Sequence, residues 1–144
     1  MGVGILGVEE TYREGVGSFS AQLPECEGGD EYIVFYSGER TNCRGVGMIV
    51  KKEIEKYMMM WEPISERNMI MKLKMAPVNL LIVQIYAPCE TEKDEEKEKF
   101  YERVDQVIKE HRKGRECLVV MGDFNGKVAE NRRYNETFRG RGEE

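Results

Sequence analysis

The nine residues CLVVMGDFN, at positions 117–125, carry the clearest structural signal in this chain. A short apolar run that ends at a glycine is typical of a buried β-strand, here Cys117 to Met121. Ligands of open α/β sheets collect at the carboxyl ends of the strands, and an acid and an amide, Asp123 and Asn125, follow this one. Alternation along an extended chain would turn these two side chains the same way. Together they could hold a metal-bound water and a phosphate oxygen.

The same residues also fit a plain turn. Asn125 is followed by Gly126, and Asn-Gly is a strong signal for a tight hairpin turn. The residues by themselves leave the polar site and the turn both open.

Composition favours a single globular domain. The chain has 144 residues, of which 40% are apolar and 34% charged, which is enough apolar material for one ordinary core. The net charge of −5 argues against a general nucleic-acid binder. Residues 125–142 nevertheless carry five bases against two acids, so this tail could meet phosphates or simply form a solvated loop. We expect the tail, residues 129–144, to be irregular.

The cysteines argue for a reducing compartment. Cys26, Cys43, Cys89 and Cys117 include no close pair, so a zinc site has little support. We interpret all four as reduced thiols, and Cys117 as a small buried apolar residue within its strand. The sequence shows neither a leader pattern nor a membrane-spanning run, so we expect an intracellular location, nuclear or cytoplasmic, and no membrane partner.

Apolar segments separated by turn residues predict a strand-rich domain. Residues 14–29 are rich in Gly, Ser and Pro and are interpreted as a loop. Leu80–Tyr86 is strongly apolar and is predicted to be a central strand. The other apolar segments are residues 3–8, 32–36, 45–50, 56–61 and 69–75.

One helix is predicted between the last two strands. Its apolar face consists of Phe100, Val104, Val107, Ile108 and His111, which recur at helical spacing. A capping box formed by Thr91 and Asp94 is predicted to begin it, and Gly114 to end it. The helix would therefore cross over from one strand of the sheet to the next.

Two familiar kinds of chemistry are not favoured. GVGILG, residues 2–7, fits the dinucleotide-binding pattern literally, but only Met1 precedes it and acids follow it where phosphates would have to approach, so residues 3–8 are better interpreted as a strand with Glu10 at its carboxyl end. His111 is the only histidine and lies on the apolar face of the predicted helix, where packing or capping is the expected role. Serine–histidine and cysteine–histidine hydrolysis are therefore disfavoured.

Polar residues follow three predicted strands. Glu10 follows the first, Tyr86 ends the central one, and Asp123 and Asn125 follow the last. If these strands lie in one sheet with their ends aligned, the set suits a hard divalent cation together with a phosphate. Taken singly, Glu10 could be an exposed charge and Tyr86 an aromatic at the edge of the core.

Six blocks of sequence give a resemblance to a known family. They occur in the order expected for the endonuclease/exonuclease/phosphatase family, and most resemble LINE-type non-LTR retrotransposon endonuclease domains and the related craniofacial development protein 2-like proteins. The blocks are ILGVEET (5–11), YSG (36–38), GVG (45–47), PISER (63–67), QIYAP (84–88) and MGDFNGKV (121–128).

The resemblance implies an α/β fold, a two-layer β-sandwich flanked by helices, and Mg²⁺-dependent (or Mn²⁺-dependent) cleavage of phosphodiesters in DNA. By that resemblance, Glu10 would be the metal ligand and Asp123 would orient or deprotonate the attacking water. Asn125 and Tyr86 would hold the scissile phosphate, and Arg67 would brace the strand pair near the site. Phosphoryl transfer needs charge neutralisation and positioning above all, which this set supplies.

Three departures from the family pattern lower the activity that we expect of this chain. The Asn-bearing strand expected before the Glu10 block and the Asp-His pair expected on a late strand have no counterpart in this sequence, and Glu9 adds a charge where a small or polar residue is usual. The resemblance therefore implies one partial domain over residues 1–144, incomplete at both ends, and a nuclease that is truncated and weak or inactive. The alternatives are a family phosphatase acting on phosphorylated small molecules or lipids, and a non-catalytic remnant or interaction module.

Overall fold

The strands between Ile5 and Lys51 form an antiparallel sheet. The computed structural model describes residues 4–22, 29–39 and 44–125. Within them, the first sheet has the order β1-β4-β3-β2, and each strand runs antiparallel to its neighbours. Its strands are β1 (Ile5–Glu9), β2 (Gly15–Gln22), β3 (Glu31–Gly38) and β4 (Gly45–Lys51).

A 3-10 helix, Lys52–Tyr57, leads into the second sheet. This sheet has the order β5-β6-β7-β8, in which β7 and β8 are parallel and the other pairs are antiparallel. Its strands are β5 (Met58–Ser65), β6 (Asn68–Leu73), β7 (Leu80–Tyr86) and β8 (Cys117–Asp123). The helix α1 (Asp94–His111) joins β7 to β8, as parallel pairing requires. No helix of the described residues is long and apolar enough to cross a membrane.

Strand alternation builds two layers of core around the second sheet. One apolar cluster fills the space between the two sheets, and a second lies between the second sheet and α1. In β7, Ile82 and Tyr86 face the first sheet, whereas Leu81, Val83 and Ile85 face α1. Because β7 is buried on both faces, its sequence is a nearly continuous apolar run.

The main architectural predictions are confirmed. The described residues form two packed sheets with a crossover helix, and Leu80–Tyr86 is an interior strand. Val104 and Val107 are buried on the inner face of α1. His111 is half-buried at the helix end, where Nε2 lies 2.9 Å from Glu62 Oε2 and Nδ1 lies 2.8 Å from the carbonyl oxygen of Val107. The predicted packing role of His111 is therefore correct.

Three local predictions are wrong. Residues 15–22, assigned to a loop, form β2, because pairing with β3 satisfies their backbone groups despite the glycines and serines. The capping box is absent, since α1 begins at Asp94 after Lys93, and no side chain caps it. Cys117 is exposed instead of buried, because among the described residues β8 pairs on one side only and its burial pattern is mixed.

A further expectation placed the three site-bearing strands in one sheet. That expectation is wrong, because β1 belongs to the first sheet and β7 and β8 to the second. Their carboxyl ends still meet, because the two sheets pack face to face. The predictions made for the tail, residues 129–144, lie outside the described residues.

Candidate functional site

The carboxyl ends of β1, β7 and β8 form one edge of the sandwich. Across the two sheets, the Tyr86 hydroxyl donates a hydrogen bond to Glu10 Oε1 at 3.0 Å. Within the second sheet, Tyr86 and Asp123 are register partners in the parallel β7–β8 pair, so their side chains leave the sheet on the same face. The structure thus brings Glu10, Tyr86 and Asp123 to one place.

The segment after β1 is bent to present Glu10. Glu10 and Tyr12 have φ angles of 51° and 52°, in the left-handed region that non-glycine residues seldom adopt. The Tyr12 hydroxyl donates to Glu10 Oε2 at 3.3 Å, so each carboxylate oxygen accepts from a phenol. The backbone N–H of Thr11 donates to the carbonyl oxygen of Gly45 at 3.4 Å and ties the segment to β4. Strained residues of this kind cluster at functional sites.

The segment after β8 is fixed just as closely. Asp123 Oδ1 accepts from the backbone N–H of Asn125 at 2.8 Å, and Asn125 Nδ2 donates to the carbonyl oxygen of Ala87 at 2.7 Å. The Ala87 N–H in turn donates to the carbonyl oxygen of Asp123 at 2.8 Å. The strand ends at Asp123, and Asn125 has a φ of 43°, so a left-handed turn and not simple alternation sets its direction. The predicted Asn-Gly turn includes Gly126, which lies outside the described residues, so that interpretation stays a prediction.

Gly122 allows Asp123 to reach this position. Its φ is 130°, and a Cβ at this residue would collide with the carbonyl oxygen of Ile85 on β7. Only glycine lets β8 approach β7 so closely while adopting that angle. The glycine before the acid is therefore a requirement of the site geometry.

Tyr86 is held as a neutral phenol. Burial raises the pKa of Tyr86 above its usual 10.0, and the hydrogen bond to the Glu10 carboxylate raises it further. Arg67 fixes the backbone on either side, since its Nη1 donates to the Tyr86 carbonyl oxygen at 3.2 Å and its own carbonyl oxygen accepts from Tyr86 N at 2.7 Å. The predicted bracing role of Arg67 is therefore confirmed.

Sequence analysis missed a second contact between the sheets. Gln84 is fully buried, and its Nε2 donates to Glu9 Oε1 at 2.6 Å. Its Oε1 has no hydrogen-bond partner among the described residues and packs against Gly7, where a Cβ would overlap it. Glu9, Gln84 and Asp123 line a cavity of about 560 Å³ beside the site. A lone glutamine in the apolar strand LLIVQIY was the available signal, because a buried amide requires a partner.

The sequence also did not predict a group of three charged side chains beside Tyr86, formed by Arg44, Arg67 and Glu92. Glu92 Oε1 lies 3.1 Å from Arg67 Nη2 and 3.6 Å from Arg44 Nη2. The three residues lie in separate turns, far apart in sequence, and their spacing carries no periodic signal that could have linked them.

The donor set suits a hard cation. Glu10 and Asp123 offer carboxylate oxygens at the protein surface, which Mg²⁺ prefers. Among the described ranges, 4–22, 29–39 and 44–125, no cluster of three or more His, Cys, Asp or Glu side chains is arranged to hold a metal. Mg²⁺ commonly takes one or two carboxylates and completes its shell with water and phosphate oxygens, so the residues present fit this ion.

Comparison with known proteins gives distant relatives. The chain is 27% identical over 127 residues to craniofacial development protein 2 of Bos taurus, and 26% identical over 127 residues to the protein of that name from Tragulus javanicus. Each match covers 88% of this chain, which spans about a fifth of the length of these relatives. No family model matches the sequence.

Proposed function

We propose that this chain carries the catalytic edge of a metal-dependent DNA endonuclease of the endonuclease/exonuclease/phosphatase type, related to LINE-type retrotransposon endonucleases. The observation that supports it most is the hydrogen bond between Tyr86 and Glu10, with Asp123 in register beside Tyr86. Two carboxylates, a phenol and an amide at one edge suit hydrolysis of a phosphodiester. DNA as partner and an intracellular location belong to the same proposal.

Glu10 would hold Mg²⁺ or Mn²⁺ at this edge. When bound, the ion supplies positive charge that offsets the charge of the phosphate and of the nearby carboxylates. Glu9, Glu10 and Asp123 place three acids close together, so the charge of the ion reduces their repulsion of an anionic substrate. The two phenol hydrogen bonds to Glu10 keep its carboxylate oriented before the ion arrives.

Asp123 would act on the attacking water. Its Oδ1 is used by the Asn125 N–H, which leaves Oδ2 to accept a proton from water. One N–H of Asn125 Nδ2 donates to the Ala87 carbonyl oxygen, and the second N–H would donate to a phosphate oxygen. The Tyr86 proton is engaged with Glu10, so Tyr86 contacts the phosphate only if that hydrogen bond is exchanged.

Nicking of supercoiled plasmid tests the proposal. We expect conversion to the open circle with Mg²⁺ or Mn²⁺, none with a chelator, and a loss of at least about a hundredfold in Glu10→Gln and Asp123→Asn. Asp105→Asn, an exposed acid on α1, is the matched control and should nick like the parent chain. A phosphorylated small molecule, run in parallel, distinguishes a nuclease from a phosphatase.

A second readout covers the case of very weak turnover. Binding of Mn²⁺ is measured by its electron paramagnetic resonance signal, and we expect Glu10→Gln to weaken it while Asp105→Asn leaves it unchanged. The proposal is overturned if metal-dependent nicking is absent and Mn²⁺ binding does not depend on Glu10. Equal nicking by the parent chain and Asp123→Asn would remove Asp123 from the mechanism.

A further inference from the structure

We propose that Arg44 binds a second phosphate of the nucleic-acid backbone, next to the one at the Glu10 site, and that this phosphate displaces the weak ion pair between Arg44 and Glu92. The identity of the ligand rests on the proposed function. The juxtaposition that carries the inference is one carboxylate, Glu92, shared by two guanidinium groups beside Tyr86.

The charges in this group do not balance. Glu92 Oε1 accepts from Arg67 Nη2 at 3.1 Å and from the Cys89 N–H at 3.4 Å, and it lies 3.6 Å from Arg44 Nη2. One carboxylate thus faces two positive charges, so these three residues taken together carry more positive than negative charge. An anion can be taken up there without displacing the Arg67 contact.

The two arginines are held very differently. The Arg67 side chain is 11% exposed and also donates to the Tyr86 carbonyl oxygen, so it is fixed in the structure. The Arg44 side chain is 42% exposed, and within the described part of the chain its one ion pair is the long contact to Glu92. An exposed ion pair of that length is weak, so a phosphate can compete for the Arg44 guanidinium.

Arg44 lies beside the Glu10 segment. It immediately precedes Gly45, whose carbonyl oxygen accepts from the N–H of Thr11, the residue after Glu10. Burial and Glu10 raise the pKa of Tyr86, and the positive charge of Arg44 partly offsets that rise, which agrees with this placement. A phosphate on Arg44 would therefore border the one held at Glu10 and Asp123.

The chemistry of the group favours a phosphodiester. A guanidinium presents paired N–H donors that match two phosphate oxygens, and it keeps its charge at every relevant pH. The surrounding edge carries Glu9, Glu10 and Asp123, so a long anionic strand needs a basic contact at the rim to stay in place. Arg44 is an exposed cation in a position to supply it.

Binding without turnover tests the inference. A fluorescent 20-base-pair duplex is titrated in a chelator by anisotropy over a series of salt concentrations. We expect Arg44→Gln to weaken binding several-fold and to reduce the slope of log K against log salt by about one, as the loss of one phosphate contact requires. Arg44→Lys should keep the slope, and Glu92→Gln should tighten binding because it frees Arg44.

Arg115→Gln is the matched control. Arg115 is exposed just before β8 begins, at the end of the sheet opposite the site, and its loss should leave the slope unchanged. The inference is overturned if Arg44→Gln keeps the parent slope, if Arg115→Gln changes it equally, or if the parent chain does not bind the duplex. Failure of the proposed function is separate, since it shows as intact, Arg44-dependent binding without metal-dependent nicking.

Discussion

Glu10 directly follows β1 of the first sheet and Tyr86 ends β7 of the second, yet the Tyr86 hydroxyl lies 3.0 Å from a carboxylate oxygen of Glu10. This contact joins the two layers at the edge where β1, β7 and β8 end. It also couples the orientation of a candidate metal ligand to the protonation state of a phenol. Three predictions follow from this edge and from the contacts that support it, and a fourth concerns a buried ion pair at the opposite end of β8.

The phenol of Tyr86 should ionise at a higher pH than an ordinary tyrosine. Because burial and Glu10 raise its pKa, the neutral form is favoured in the folded protein, and its contribution to stability is present below pH 10 and lost as pH rises through the folded pKa. Tyrosinate absorbance is followed as pH rises, in the parent chain and in Tyr86→Phe. The difference between the two curves, which reports Tyr86, should have its midpoint above pH 10. Tyr57→Phe, which removes a half-exposed tyrosine, controls for the loss of one chromophore. A difference curve centred at or below pH 10 would contradict the prediction.

Gly122 should tolerate no side chain. Gly122→Ala places a Cβ against the Ile85 carbonyl oxygen at a φ of 130°, so we expect the free energy of unfolding to fall by at least about 2 kcal/mol. Gly114→Ala is the matched control, because Gly114 also has a positive φ, 64°, but has open space around it, and about 1 kcal/mol is expected. Urea unfolding measures both, and equal losses would show that the close approach of β8 to β7 is not what constrains Gly122.

Glu9 and Gln84 should be energetically coupled. Each single variant, Glu9→Ala or Gln84→Leu, leaves a buried or partly buried polar group without its partner, and we expect a loss of about 1–3 kcal/mol. The double variant should lose less than the sum of the two by about 1 kcal/mol or more. Gln106 and Glu110, an exposed hydrogen-bonded pair on α1, provide the comparison and should couple by less than about 0.5 kcal/mol. Additive losses at Glu9 and Gln84 would argue against the contact.

Acid should release a buried ion pair that joins β6 to the start of β8. Lys72 Nζ donates to Glu116 Oε1 at 2.8 Å and to the carbonyl oxygen of His111 at 2.7 Å. The hydrogen bond from Lys72 holds the pKa of Glu116 below its usual 4.5, so the stabilisation is present above pH 4.5 and is lost as pH falls through the lower, folded value.

Urea unfolding at neutral pH and below pH 4.5 measures this loss. Glu116→Gln should be less stable at neutral pH and should lose less stability on acidification than the parent chain. Glu102→Gln, an exposed acid on α1, should follow the parent curve. If the free energy of unfolding falls by the same amount on acidification in Glu116→Gln and in the parent chain, Glu116 does not contribute to acid unfolding.

Long periodic segments made most of the fold predictable. β7 and α1 were predicted because a doubly buried strand and an amphipathic helix leave unmistakable apolar patterns. β2 was missed because its sequence, GVGSFSAQ, consists mainly of small, exposed residues whose extended state depends on pairing with β3. The exposure of Cys117 was missed because a sequence pattern does not say which strand lies at the edge of a sheet.

The site was predictable where residues follow strand ends and unpredictable where loops meet. Glu10, Tyr86 and Asp123 were placed together by the rule that strand ends gather ligands, although the sheet assignment of β1 was wrong. The meeting of Arg44 with Glu92 depends on the paths of two turns, which no local pattern encodes.

Ala87 gives the site a mechanical property. Its N–H donates a hydrogen bond to the Asp123 carbonyl oxygen, and its own carbonyl oxygen accepts one from the Asn125 side chain. Ala87 therefore makes two hydrogen bonds to the segment at the end of β8. These two hydrogen bonds join the stretches at the ends of β7 and β8. A displacement of Asp123 would strain its hydrogen bond to Ala87, the residue after Tyr86, so the groups that we propose to activate water and to hold the phosphate should move together.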